Sequence, residues 1–63
     1  MRSIIIEEQE ERLVLGTPEL DGYIYLSYTN GKADTSRLDE NSCQKIFACS
    51  ITELRDFLRK KGY

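Results

Sequence analysis

Asn30-Gly31 is the pair that most restricts how this chain can fold. Both residues tolerate positive φ, and the type I′ turn they favour has the twist that joins two antiparallel strands. Before the pair stands Tyr23-Ile24-Tyr25-Leu26-Ser27-Tyr28, the clearest strand in the sequence. Side chains alternate across a strand, so Tyr23, Tyr25 and Ser27 share one face while Ile24, Leu26 and Tyr28 share the other. A returning strand is therefore expected over about Lys32 to Leu38. Its residues are mostly polar, as suits a sheet edge.

The rest of the chain is read outward from this hairpin. Ser3 to Glu8 is rich in β-branched isoleucine and reads as a first strand, with Ile4 and Ile6 on one face and Ile5 on the other. Glu8-Gln9-Glu10-Glu11 reads as a turn, and Arg12 to Leu15 as a short second strand ended by Gly16-Thr17-Pro18. Pro18 cannot donate to a ladder, so the connection through Glu19-Leu20-Asp21-Gly22 is expected to be a loop that reverses at Asp21-Gly22. Near the C-terminus, Ser50-Ile51-Thr52-Glu53 has the spacing of a capping box, with Cys49 and Leu54 placed to staple it. A helix from Ile51 to about Lys61 follows, with Ile51, Leu54, Phe57 and Leu58 on one face, and Gly62 is placed to stop it. Residues 39 to 49 remain open. Cys43, Ile46 and Phe47 have the spacing of a short helix capped by Asp39 or Asn41, whereas Lys45 to Cys49 also reads as a short strand, which is preferred here.

These elements define an α+β fold: a small antiparallel β-meander of four or five strands with one C-terminal α-helix packed on one face. The expected core is Ile4, Ile6, Leu13, Leu15, Ile24, Leu26, Ile46, Leu54, Phe57 and Leu58. At 63 residues the chain is one domain, residues 1–63, and a single core of that size leaves a thin stability margin. One sheet covered by one helix also leaves its second face bare. A homodimer formed through that face or through an edge strand is therefore expected.

Several chemistries are excluded or weakened by composition. The chain contains no histidine, so neither Cys43 nor Cys49 has the usual base for nucleophilic catalysis. Five residues separate the two cysteines, which matches no common zinc or redox spacing. Both are expected to be reduced, structural thiols in a cytoplasmic protein. Glycines at 16, 22, 31 and 62 are scattered turn and cap residues that build no phosphate cradle. The Glu7-Glu8 and Glu10-Glu11 pairs read as a solvated turn. An N-terminal proline base, the device of very small tautomerases, is excluded because residue 2 is Arg2. Ile4-Ile5-Ile6 is too short for a signal-peptide core or a membrane span. No catalytic residue, metal site or cofactor is expected, and the chain is read as a non-enzyme.

Binding residues are easier to nominate. Tyr23 and Tyr25 share a strand face, and tyrosine buries apolar area at an interface while keeping a polar handle. Charge is divided along the chain: residues 1–31 carry net −4 and residues 32–63 net +2. Arg55, Arg59, Lys60 and Lys61 also suit the C-terminal end of the helix dipole, which gives them a structural reason to be there. Lys32, Arg37, Arg55 and Arg59 join Tyr23 and Tyr25 as interface or binding candidates. The expected function is a small regulatory or inhibitory module acting by protein–protein interaction, of the size common in phages and mobile elements. The alternative is a single-stranded nucleic-acid-binding module that stacks bases on the tyrosines and holds phosphates with Lys32 or Arg37. Its order, strands followed by one helix, resembles single-stranded DNA-binding coactivators without sharing a motif with them.

Overall fold

The computed structural model describes the backbone of residues 1–63 and every side chain except that of Leu20. Four strands form one antiparallel sheet in the order β1-β2-β3-β4: β1 is Ile5–Glu8, β2 Arg12–Thr17, β3 Leu20–Thr29 and β4 Lys32–Ala33. A short helix, α1 (Glu40–Ser42), runs into a π-helical turn over Cys43–Phe47, and α2 spans Ile51–Lys60. The fold is α+β, a small antiparallel meander followed by a C-terminal helical region. No helix among the described residues is long and apolar enough to cross a membrane.

The alternation of the central strands sets the layering. Leu13, Leu15 and Leu26 are buried and form one cluster with Cys43, Phe47, Cys49, Leu54 and Leu58. Ile4, Ile6, Ile24, Tyr28 and Ala33 pack at its margins from the same side of the sheet. The helices therefore cover one face only. At the hairpin, Asn30 (φ 54°) and Gly31 (φ 80°) both adopt the positive φ that the turn requires.

α2 begins as its sequence predicts. The Ser50 hydroxyl accepts from the Glu53 N–H at 3.1 Å, and the Glu53 carboxylate accepts from the Ser50 N–H at 3.1 Å. Together they satisfy two of the donors that a helix start leaves unpaired. The Ile51 N–H donates to the Glu40 carboxylate at 3.1 Å, which ties α1 to α2. Gly62, at φ 91°, takes the left-handed conformation just past the helix.

Four expectations need correction. Lys45 to Cys49 is not a strand: a strand would place Lys45, Phe47 and Cys49 on one face, which would bury a lysine among apolar groups. The helical turn instead buries Cys43 and Phe47 and leaves Lys45 exposed. β4 ends at Ala33 rather than Leu38, because the Asp34 carboxylate accepts from the Ser36 N–H at 3.0 Å and its hydroxyl at 2.6 Å, which bends the chain out of the ladder. The chain reverses at Pro18-Glu19, not Asp21-Gly22. Thr17 pairs with Leu20 across that two-residue turn, and the extra residues Asp21 and Gly22 are absorbed within β3 as a register shift between Gly16 and Thr17. The Thr17 hydroxyl donates to the Glu19 carboxylate inside the turn and thereby holds the Glu19 pKa below its ordinary value. Finally, Ile4, Ile6, Ile24, Ile46 and Phe57 line the margin of the core, whose centre holds Cys43, Phe47 and Cys49 instead.

The π-helical turn closes on Ala48, which sits at φ 55°, ψ 43°. The Ala48 N–H donates to the Gln44 carbonyl at 3.0 Å, and the Cys49 N–H reaches the Cys43 carbonyl at 3.4 Å. From the other end of the chain the Arg2 N–H donates to the Phe47 carbonyl at 2.8 Å. The N-terminal segment thus satisfies a carbonyl that the helix end leaves over.

Candidate functional site

The sheet face opposite the helices is bare, and strand register decides what it displays. Ile5 pairs with Gly16, which pairs with Tyr23; beside them Glu7 pairs with Val14, which pairs with Tyr25. All six residues project to this outer face. Ile5 and Tyr25 are each 55% exposed and Tyr23 58%, whereas Val14 is only 5% exposed. Val14 is shielded although no helix covers it, because larger side chains flank it on both neighbouring strands.

Two contacts order the tyrosines. The Arg12 guanidinium lies 4.4 Å from the centre of the Tyr25 ring, a cation–π approach. Arg12 is held there by its Nε, which donates to the Gln9 side-chain Oε1 at 2.8 Å. The Tyr23 ring lies over Gly16, where an added Cβ would meet Tyr23 Cδ1 and Cε1 at 2.8 Å. Glycine at 16 is thus what lets an aromatic ring lie flat on the strand.

The nominated residues divide between two surfaces. Tyr23, Tyr25 and Arg37 line a groove of about 530 Å³ along the open side of β3, with Leu38 and Asp39 on its far wall. Lys32, Arg55 and Arg59 line a separate, smaller groove of about 230 Å³ between β4 and α2, which Tyr63 helps to close. The Tyr63 hydroxyl donates to Glu8, and that carboxylate acceptor pushes the phenol's pKa up. Lys45 lies apart on the π-helical turn, where its carbonyl accepts from Arg2 Nη1 at 3.3 Å.

Sequence reasoning missed Ile5, Arg12, Val14 and Gly16 as parts of the tyrosine surface. The signal was present in parity: with Leu13 and Leu15 inward, Arg12, Val14 and Gly16 must face out beside Tyr23 and Tyr25. Both cysteines are free and buried, and burial first of all raises their thiol pKa values. They therefore lack the thiolate character of a reactive cysteine. No protein-family model, curated protein or solved structure matches this chain.

Proposed function

We propose that this chain is a non-enzymatic regulatory or inhibitory module that acts by protein–protein contact and self-associates as a homodimer through its outer sheet face. The observation that carries the reading is the exposed cluster of Ile5, Tyr23 and Tyr25 around Val14. Large apolar side chains gathered on an uncovered face are the usual mark of a contact surface. Of the cations beside them, Arg12 is already engaged with Tyr25. The nucleic-acid alternative asks tyrosines and several cations to share a surface, and of the nominated ones only Arg37 lines the tyrosine groove, whereas Lys32, Arg55 and Arg59 line a different one. A small phage-like regulator is the setting that chain size suggests, and the two buried free thiols support a cytoplasmic one.

The test is light scattering on a sizing column across a range of protein concentrations, at low and high salt. The expected result is a species approaching twice the 7.3 kDa chain mass at high concentration, insensitive to salt because the contact is apolar. The double variant Ile5→Ser, Tyr25→Ser is expected to remain folded and monomeric. A monomer at every concentration overturns the homodimer.

A further inference from the structure

β3 has ten residues, but β4 accompanies it over only Tyr28 and Thr29. Backbone groups alternate sides along an antiparallel strand, so the residues that bond to β4 are known from the hairpin. Thr29 and Lys32 flank a two-residue turn and form its hydrogen-bonded pair. Ser27 is next on that side, since its carbonyl accepts from the Asp34 N–H at 2.8 Å. By the same alternation, the N–H and C=O groups of Tyr25 and Tyr23 point away from β2 to the same side, beyond the end of β4. The middle of the sheet's longest strand therefore presents an open edge of two donors and two acceptors in strand register. Only an extended backbone matches that pattern.

The surroundings of this edge narrow the occupant further. The 34–42 segment forms the opposite wall of the 530 Å³ groove, where Leu38 also packs against the core. Tyr23 to Tyr25 spans about 7 Å at ~3.3 Å per residue, room for about three residues of added strand. A residue of that strand opposite Ile24 would share its inward face, while those opposite Tyr23 and Tyr25 would extend the outer face. The wall offers no surplus positive charge. The Asp34 carboxylate accepts from Ser36, and those hydrogen bonds, together with the nearby Arg37 guanidinium, hold its pKa below the ordinary value; the Asp39 carboxylate accepts from the Ser42 N–H at 3.2 Å and its hydroxyl at 3.0 Å.

A partner that engages the exposed Ile5, Tyr23 and Tyr25 side chains and the edge together gains directed hydrogen bonds as well as apolar contact.

We propose that the partner of this module binds by strand addition. An extended segment of another protein, apolar at alternate positions, pairs with the open edge of β3 over Tyr23–Tyr25. This rests on the reading of the chain as a protein-interaction module and names how the partner is held.

The test pans a displayed library of random peptides on the full chain and measures amide hydrogen exchange with and without the selected peptides. Enriched peptides are expected to alternate apolar residues. The Tyr23 and Tyr25 amides should exchange freely in dilute protein and become protected in the complex. N-methylating the peptide amides of one parity should weaken binding about tenfold or more, the loss expected for one or two directed hydrogen bonds. Methylation of the other parity should be tolerated. Tyr23 and Tyr25 amides that are protected in the dilute free protein overturn the open edge. Protection that grows with protein concentration assigns the edge to a second copy and overturns the foreign partner. Peptides indifferent to methylation parity but lost on Ile5→Ser leave the interaction module standing and remove strand addition. A chain that selects no peptide yet binds single-stranded oligonucleotides loses both readings.

Discussion

Replacing Ala48 by glycine should stabilise this protein, although the substitution removes a methyl group. Ala48 ends the π-helical turn at φ 55°, ψ 43°, a left-handed conformation in which Cβ crowds the following carbonyl. That crowding costs about 1–2 kcal/mol for an L-residue and nothing for glycine. The Ala48 side chain is exposed, so no core contact is lost with it. Against this stands glycine's greater freedom in the unfolded chain, about 0.4–1 kcal/mol. The net expectation is a gain of about 0.5–1 kcal/mol, equivalent to a rise in Tm of about 3–6 °C for a domain of this size. Ala48→Val should move Tm the other way, since a β-branched side chain is worse accommodated there. Thermal melts followed by circular dichroism decide the matter. A fall in Tm for Ala48→Gly would refute the reasoning, because it would mean that Cβ contributes more at this position than its strained backbone costs.

Phe47→Ala tests where the core is centred. Phe47 is fully buried among Leu13, Leu15, Leu26 and Leu54, and such truncations cost about 3–5 kcal/mol. Against a total of about 3–9 kcal/mol for a chain of this length, urea titration should find the variant losing a third or more of its stability, and a loss below about 1.5 kcal/mol would contradict the packing described. Ser50→Ala should cost about 1 kcal/mol by removing the helix cap, read from the same titration. The Ser50 N–H and hydroxyl hold the Glu53 pKa below its ordinary value. That contribution is present above the unfolded-state pKa and is lost as pH falls through the folded one. Glu53→Ala should therefore destabilise at neutral pH and lose its effect in acid; an effect that is constant with pH would exclude the carboxylate as the cause.

Local chemistry was legible where a few adjacent residues suffice to satisfy the backbone. Asn30-Gly31 specifies its own turn, Ser50 and Glu53 cap the helix they precede, and Gly62 stops it, each without help from distant parts of the chain. The parity of Tyr23 to Tyr28 likewise separated Tyr23 and Tyr25 from Ile24 and Leu26. Legibility failed where two local solutions compete. Residues 39–49 suit either a short helix or, over Lys45 to Cys49, a strand, and what separates the two is the penalty for placing Lys45 beside Phe47 and Cys49 under a sheet. Asp21-Gly22 is as good a turn as Pro18-Glu19. The reversal falls at the latter, where the Thr17 hydroxyl and the Glu19 carboxylate close the turn.

The candidate site divides along the same line. That Tyr23 and Tyr25 share a face follows from the two-residue period of a strand and needs no tertiary information. That this face is the bare one, that Ile5, Arg12 and Val14 join it, and that Lys32, Arg55 and Arg59 lie in another groove depends on which side the helices cover. Sequence determined the hairpin, the cap and the alternation because these are interactions between near neighbours. Only the tertiary structure decided the π-helical turn and which sheet face is covered, because both depend on buried apolar side chains meeting across the whole length of the chain; the early end of β4, and with it the open edge of β3, is set by the local Asp34–Ser36 bend.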